Sequence, residues 1–229
     1  MNPIIYRLGF HVINLLSRFK PTANGLTMIS RAWLRHAKLR EMLIKEKFDG
    51  VIDGGANVGE FAAVVRGVLP KSDLVCVEPQ PNCAANLRRQ GYRVVEAALW
   101  RDKGTLTLSQ PTSETTSCTV LVANDNVAKA TWVVPSIALQ DLQIAGARIL
   151  VKLDLQGAEP IALEGMGPLW ERCAGLLVEV SIGPTGTYEK IRELLASHGF
   201  SEYSTTNELS VAGRVVEADK LWLRSPVRD

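Results

Sequence analysis

The sequence is poor in the side chains that most metal and redox centres need. It has only three histidines (His11, His36 and His198), none at ligand spacing from another. Its four cysteines, Cys76, Cys83, Cys118 and Cys173, form no CxxC pair. These counts argue against a zinc site, and Cys76 inside an apolar run reads as a reduced thiol in a cytosolic protein. Long apolar runs are also missing. The stripe Ile4, Ile5, Leu8, Val12, Leu15, Leu16 and Phe19 suits an amphipathic helix over residues 3–19, but Arg7, His11 and Asn14 interrupt it. It is too short and too polar to span a membrane, and no small-residue cleavage site follows to make it a secretory signal. No internal repeat and no low-complexity tract is found.

What is present is ordinary for a globular enzyme-sized domain: 229 residues, 46% hydrophobic and 22% charged. The charge is unevenly spread. Residues 1–48 hold nine Lys or Arg against Glu41 and Glu46, a net +7; with +2 overall, residues 49–229 carry −5. Pro21 and Gly25 punctuate this segment, and a second basic helix is expected from about residue 30 to residue 47. We read 1–48 as a basic helical extension and 49–229 as the main domain. The extension either covers the core as the solvated face of two helices or meets an anionic membrane surface, a phosphate-bearing substrate or nucleic acid.

The main domain is organised around Val51-Ile52-Asp53-Gly54-Gly55-Ala56-Asn57-Val58-Gly59-Glu60-Phe61. A β-branched strand, a glycine-rich turn and an apolar-striped helix follow one another, as where doubly wound α/β domains hold a nucleotide-like cofactor. The spacing Asp-x-Gly-x-Asn-x-Gly misses the strict dinucleotide fingerprint. A carboxylate at Asp53 would repel a pyrophosphate and suits a cofactor bearing positive charge, such as S-adenosylmethionine (SAM), with its sulfonium and amino groups.

Strands and helices then alternate, the pattern of a parallel sheet covered on both faces. Strands are expected at 50–54, 74–78, 93–99, 148–153 and 176–180, and helices at 82–90, 160–172 and 187–198. Residues 104–109 and 131–138 read as extra extended segments around a polar loop, 112–119. Residues 200–205 and 220–224 would complete a mostly parallel, Rossmann-like seven-stranded sheet with an antiparallel hairpin. Glu78 ends the second strand, 19 positions after Gly59, where an acid can accept hydrogen bonds from both ribose hydroxyls. Glu96-Ala97-Ala98-Leu99, at the end of the third strand, offers small residues where an adenine edge could meet backbone groups. Asp154, Glu159 and Glu179 flank the ends of the two later apolar strands and should face the reactive end of the cofactor. His198 precedes a helix-ending Gly199, where capping is its reading.

Several of these segments together resemble the FkbM-type SAM-dependent methyltransferases. The resemblance rests on Asp53-Gly54-Gly55-Ala56-Asn57-Val58-Gly59, on Glu78-Pro79, on Ala98-Leu99 followed by Gly104, on Lys152-Leu153-Asp154-Leu155-Gln156-Gly157-Ala158-Glu159, and on Glu179. The family pattern has a glutamate where Gln156 stands, and a Leu-Asp pair where this chain has Leu139-Gln140, with Asp141 one place on. The similarity covers roughly residues 49 to 205. It implies SAM as cofactor, held by Asp53, Gly54, Gly55, Ala56, Asn57, Gly59, Glu78, Pro79, Ala98 and Leu99. It also implies O-methylation of a hydroxyl on a sugar, glycolipid, polysaccharide or related natural product. Asp154 is the first choice of proton acceptor, then Glu159 and Glu179; no metal is assigned, a magnesium ion on Asp154 and Glu179 being the alternative. The acceptor is expected to be a small molecule or glycan rather than nucleic acid, chosen by the 112–119 loop and the extension. The setting is expected to be cytoplasmic, at the inner face of a membrane if the extension binds one. Two other readings stand beside this one. A nicotinamide-dependent oxidoreductase is disfavoured by Asp53, by Asn57 and by the lack of a Tyr-Lys relay pair. A non-catalytic SAM-fold binding module is disfavoured by the intact Asp53, Gly55, Gly59 and Glu78.

Overall fold

The computed structural model describes residues 37–110, 119–120 and 130–224. The helix expected at 3–19 and the loop 112–118 lie outside the described residues, as does the start of the second basic helix, described from Ala37.

The described chain opens with helix α1 (Ala37–Glu46), followed by β1 (Gly50–Gly54), α2 (Glu60–Val68), β2 (Asp73–Val77), α3 (Pro81–Arg89) and β3 (Arg93–Val95). Next come β4 (Ala98–Leu99), β5 (Gly104–Gln110), β6 (Thr119–Val120) and β7 (Ala130–Ile137), then β8 (Ile149–Leu153), α4 (Glu159–Glu164), α5 (Leu169–Arg172) and β9 (Cys173–Ser181). Helix α6 (Tyr188–Ser197) and the hairpin β10 (Phe200–Val211) and β11 (Arg214–Arg224) close it.

The main sheet has seven strands in the order β10-β11-β9-β8-β1-β2-β3. β1 pairs in parallel with β2 and β8, as do β2 with β3 and β8 with β9, while β11 runs antiparallel to both β9 and β10. The order therefore reverses at β1 and β8, the switch point where open α/β sheets bind ligands beyond the strand ends. Side chains alternate between two cores, as the two-residue period of a strand requires. Ile52, Val151, Leu176 and Val178 face one core with Leu163, Ile191 and Leu195. Val51, Leu150 and Leu177 face the other with Phe61, Val65 and Leu87. Helix α1 belongs to this second core. Its Leu39, Met42 and Leu43 are fully buried there, a burial worth about 1.5–3 kcal/mol per side chain. The end of the basic extension thus covers the sheet.

Two expected elements are split. The segment 93–99 is not one strand: β3 stays in the main sheet, whereas Ala98 and Leu99 pair with Ser136 and Ile137 in a second sheet of order β4-β7-β5-β6. The helix expected over 160–172 breaks into α4 and α5, because Pro168 disfavours helical backbone at the residue before it, and Gly167 takes φ +43°. The hairpin is longer than expected, 200–211 with 214–224. Cys76, Cys83 and Cys173 are buried and unpaired.

Candidate cofactor and methyl-transfer site

The groove lies over the carboxyl ends of β2, β1, β8 and β9. Strand β1 delivers Asp53 opposite Lys152 of β8 in the parallel register. Asp53 is fully buried, and the Lys152 ammonium sits 3.5 Å from it. Burial pushes the Asp53 carboxyl up against the opposing pull of Lys152. Burial would lower Lys152, but Asp53 and Asp154 outweigh it and hold the ammonium charged, above its usual range. The sequence reading aimed the Asp53 carboxylate at a cationic cofactor; the fold turns it under the glycine turn and lets Lys152 neutralise it.

The turn itself is built for close approach. Gly55 has φ +70°, and a Cβ there would stand 2.0 Å from the carbonyl oxygen of Asp154. Gly59, at φ +93°, is the left-handed residue that opens α2. Between them the backbone N–H of Asn57 donates to Glu78 Oε2 at 2.8 Å, and the N–H of Gln80 donates to Glu78 Oε1 at 2.8 Å. Both oxygens of this buried carboxylate are thereby oriented by backbone, with lone pairs left for two hydroxyls. Burial pushes Glu78 up, and those two N–H groups counter it. Beside Glu78 the cavity wall is apolar: Pro79, Ala98, Leu99 and Leu108, the last contributed by β5 of the second sheet. A Cβ on Gly54 would stand 2.5 Å from Leu99 Cδ1, and Ala56 lines the inner cavity.

The other half of the groove is acidic. Asp154 lines both halves. Lys152 Nζ is 3.3 Å from its Oδ2, and Gln156 Nε2 donates to its Oδ1 at 3.1 Å. The same Gln156 amide donates to Glu179 Oε2 at 3.0 Å. Burial alone would raise Asp154, but Lys152 and the Gln156 amide hold it below the usual carboxylate range. Glu179 is pushed up to about 9 by burial, then by the neighbouring Asp154, Glu217, Glu159 and Asp219. The two carboxyl groups bridged by Gln156 are therefore pushed in opposite directions. Glu159 has a different job: its Oε1 accepts the N–H groups of Leu155 at 2.6 Å and Gly157 at 3.2 Å, fixing the turn that carries Gln156 at φ +56°. Its burial pushes it up as well. His198 ends α6, its Nδ1 at 3.0 Å from the Leu194 carbonyl and its ring stacked on Trp170, and it lines neither half of the groove. Among the described residues, no three or more His, Cys, Asp or Glu side chains gather into a metal-holding group.

Sequence reasoning missed five contributors. Lys152 carried a signal, a lone cation inside an apolar strand. Gln156 was visible only as a departure from a pattern. Asp219 and Asn207, which line the acidic half from the hairpin, and Leu108 reach the groove through long-range strand pairing that no local stretch announces.

The residues present fit SAM. A backbone-oriented carboxylate beside an apolar wall suits a ribose and adenine. The acidic half suits a sulfonium and an ammonium group. Fold and site together define a SAM-dependent methyltransferase. Residues 53–202 match the model of the methyltransferase FkbM domain, and the chain belongs to that family; its cofactor is SAM. No curated protein matches the chain. Among solved structures, it resembles the FkbM methyltransferase of Methylobacillus flagellatus at 16% identity and TM-score 0.48, over 77% of this chain and 43% of that one. It also resembles the precorrin-6y C5,15-methyltransferase of Geobacter metallireducens at 12% identity and TM-score 0.44, over 82% and 87% of the two chains. The N-terminal domain of human METTL16 in complex with SAH is similar at 12% identity and TM-score 0.44, over 84% and 70%.

Proposed function

We propose that the protein transfers the SAM methyl group to a hydroxyl of a sugar, glycolipid, polysaccharide or related natural product, with Asp154 as the proton acceptor. Bound SAM supplies a methyl group activated by its sulfonium. The chain's own task is to orient the acceptor hydroxyl and to remove its proton as the new C–O bond forms. The observation that carries this reading is the side-chain network at the Gln156 amide: Lys152 Nζ lies 3.3 Å from Asp154, and Gln156 donates to both Asp154 and Glu179. Lys152 and Gln156 hold Asp154 low, while burial and neighbouring carboxylates push Glu179 up. Asp154 also lines both halves of the groove, so a base stands where the two meet. Glu179 then serves as a neutral neighbour that accepts or donates hydrogen bonds to the acceptor, and Glu159 as the anchor of the turn.

The lining favours a carbohydrate-type acceptor over nucleic acid. Glu60, Asp154, Glu179 and Asp219 face the inner cavity against a single cation, Lys152, among the described residues. A polyphosphate chain would meet repulsion there. No described helix is long and apolar enough to cross a membrane. We assign a cytoplasmic setting, with contact between residues 1–48 and the inner face of a membrane as its alternative form. The test is transfer of label from methyl-labelled SAM to a glycan and glycolipid extract and, in parallel, to total RNA. Label in the first, lost in Asp154→Asn, supports the reading; label confined to RNA rejects it.

A further inference from the structure

Lys152 belongs to no role assigned above except charge balance, yet its contacts go further. The residue is 9% exposed, and its Nζ donates to the carbonyl oxygens of Gly54 at 3.2 Å and Gly55 at 2.9 Å. Those are the two carbonyls at which β1 becomes the glycine turn. The same ammonium is 3.5 Å from Asp53 beneath the turn and 3.3 Å from Asp154 above it. Asp154 in turn sends its backbone N–H to Gly54 O at 3.2 Å. An ammonium has three N–H donors, and here four acceptors on two strands compete for them. Charge balance for Asp53 needs only one of those contacts. The two carbonyl contacts add nothing to that balance, but they fix where the turn sits relative to β8.

We infer that Lys152 is a positioning residue for the cofactor: it fastens the Gly54-Gly55 turn to the end of β8, so that turn and Asp154 move as one unit. Gly55 approaches Asp154 so closely that a Cβ would not fit. A displacement of under an ångström at this junction changes the floor on which the methionine half of the cofactor rests. Without those donors the turn keeps its backbone bonds to Val77 and Asp154 but loses the side-chain tie at the Gly54 and Gly55 carbonyls. The inference concerns cofactor binding and stands apart from the acceptor's identity.

The test uses S-adenosylhomocysteine, which lacks the sulfonium charge, so that its affinity reports position rather than the field of the removed ammonium. Lys152→Met alone would leave Asp53 buried and unpaired, so the variants carry Asp53→Asn as well. Asp53→Asn/Lys152→Met has neither charge nor donors, whereas Asp53→Asn/Lys152→Gln has the same charge and an amide able to reach one carbonyl. Calorimetry on the full chain should show a loss of roughly tenfold or more in the Met variant, the scale of lost charge-assisted hydrogen bonds. Recovery of at least threefold is expected in the Gln variant, at melting temperatures within a few degrees of each other. Wild-type affinity in the Met variant, or equal affinity in the two, overturns the inference and leaves Lys152 as a counter-ion only. So does failure of both variants to fold where Asp53→Asn alone folds, which makes the residue part of the scaffold. If Asp154→Asn leaves transfer intact while the Met variant loses affinity, the proton-acceptor assignment fails and the positioning role survives.

Discussion

The two halves of the groove are built by different means. On the ribose and adenine side, Glu78 is oriented by backbone N–H groups from Asn57 and Gln80 beside an apolar wall, and Asp154 borders it from the other half. On the other side, Lys152, Asp154, Gln156 and Glu179 hold one another through side chains from β8 and β9, with Asp219 added from β11. Backbone donors neither titrate nor change rotamer, so the first half is a fixed mould. The second is a coupled electrostatic network in which any one charge sets the state of the others. The first is suited to holding a cofactor whose shape is constant. The second is suited to a proton that must leave.

If that division is right, its halves break differently. The largest effect is expected at the junction. Asp154→Asn keeps the shape of the site and removes the base, so turnover at saturating SAM should fall by roughly 10²–10⁴-fold, with SAM affinity close to wild type. A tight-binding, slow enzyme is the expected result; a weak-binding enzyme of normal turnover would move Asp154 to the cofactor-holding side.

Next in size is Glu78→Ala. Lost charged hydrogen bonds to ribose should weaken SAM binding by about 1–3 kcal/mol. Asn57 and Gln80 lose their acceptor too, so the melting temperature should drop modestly in the absence of SAM. Turnover at saturating SAM should stay near wild type, and calorimetry with saturated kinetics on one variant checks both halves of the statement.

A third test reads the network without any acceptor. Burial and the neighbouring carboxylates push Glu179 up to about 9 in the folded protein, well above an ordinary glutamate. Between the unfolded and folded values the unfolded chain has released a proton that the native state still holds. The stabilising contribution of Glu179 is therefore whole below the unfolded value and is lost as pH rises through the folded one. For one full proton the slope would be about −1.4 kcal/mol per pH unit, and partial solvent screening makes it smaller. Glu179→Gln keeps a neutral group of similar size and should flatten denaturation midpoints measured between pH 6 and 9. Parallel wild-type and variant curves over that range would show that Glu179 is ionised and the split at Gln156 absent.

The same division explains what could be read from the sequence. The mould is local: Asp53 to Gly59 and Glu78-Pro79 sit within short stretches whose strand, turn and helix signals are strong, and the fold places Gly55, Asn57, Glu78, Pro79, Ala98 and Leu99 on the cavity wall. The network is non-local. Asp53 looked like a cofactor contact because its neutralising partner lies about a hundred residues away, on a strand that only the fold sets alongside. Asp219 fell just outside the expected hairpin because residues 214–219, the first half of β11, bury only Ala218, which erases the two-residue hydrophobic period that marks a strand. The splitting of 93–99 has the same cause: β propensity tells that a residue is extended, not which sheet supplies its partner.

The smallest effect probes the far wall of the mould. Leu108 is 3% exposed and comes from the second sheet, where it stands opposite Trp132 and beside the adenine side of the groove. Leu108→Val removes one methylene from a buried, β-compatible position, a change of about 0.8 kcal/mol at most in apolar contact. Part of that loss falls on folding and part on binding, so SAM affinity should fall less than about fourfold. Turnover at saturating SAM should not move, because Leu108 brings no charged or hydrogen-bonding group to the Lys152–Asp154–Gln156–Glu179 network. A Leu108→Val enzyme with unchanged affinity but reduced saturated turnover would mean that the second sheet transmits to the acidic half. The two halves would then form one mechanical unit instead of a rigid mould joined to a coupled network.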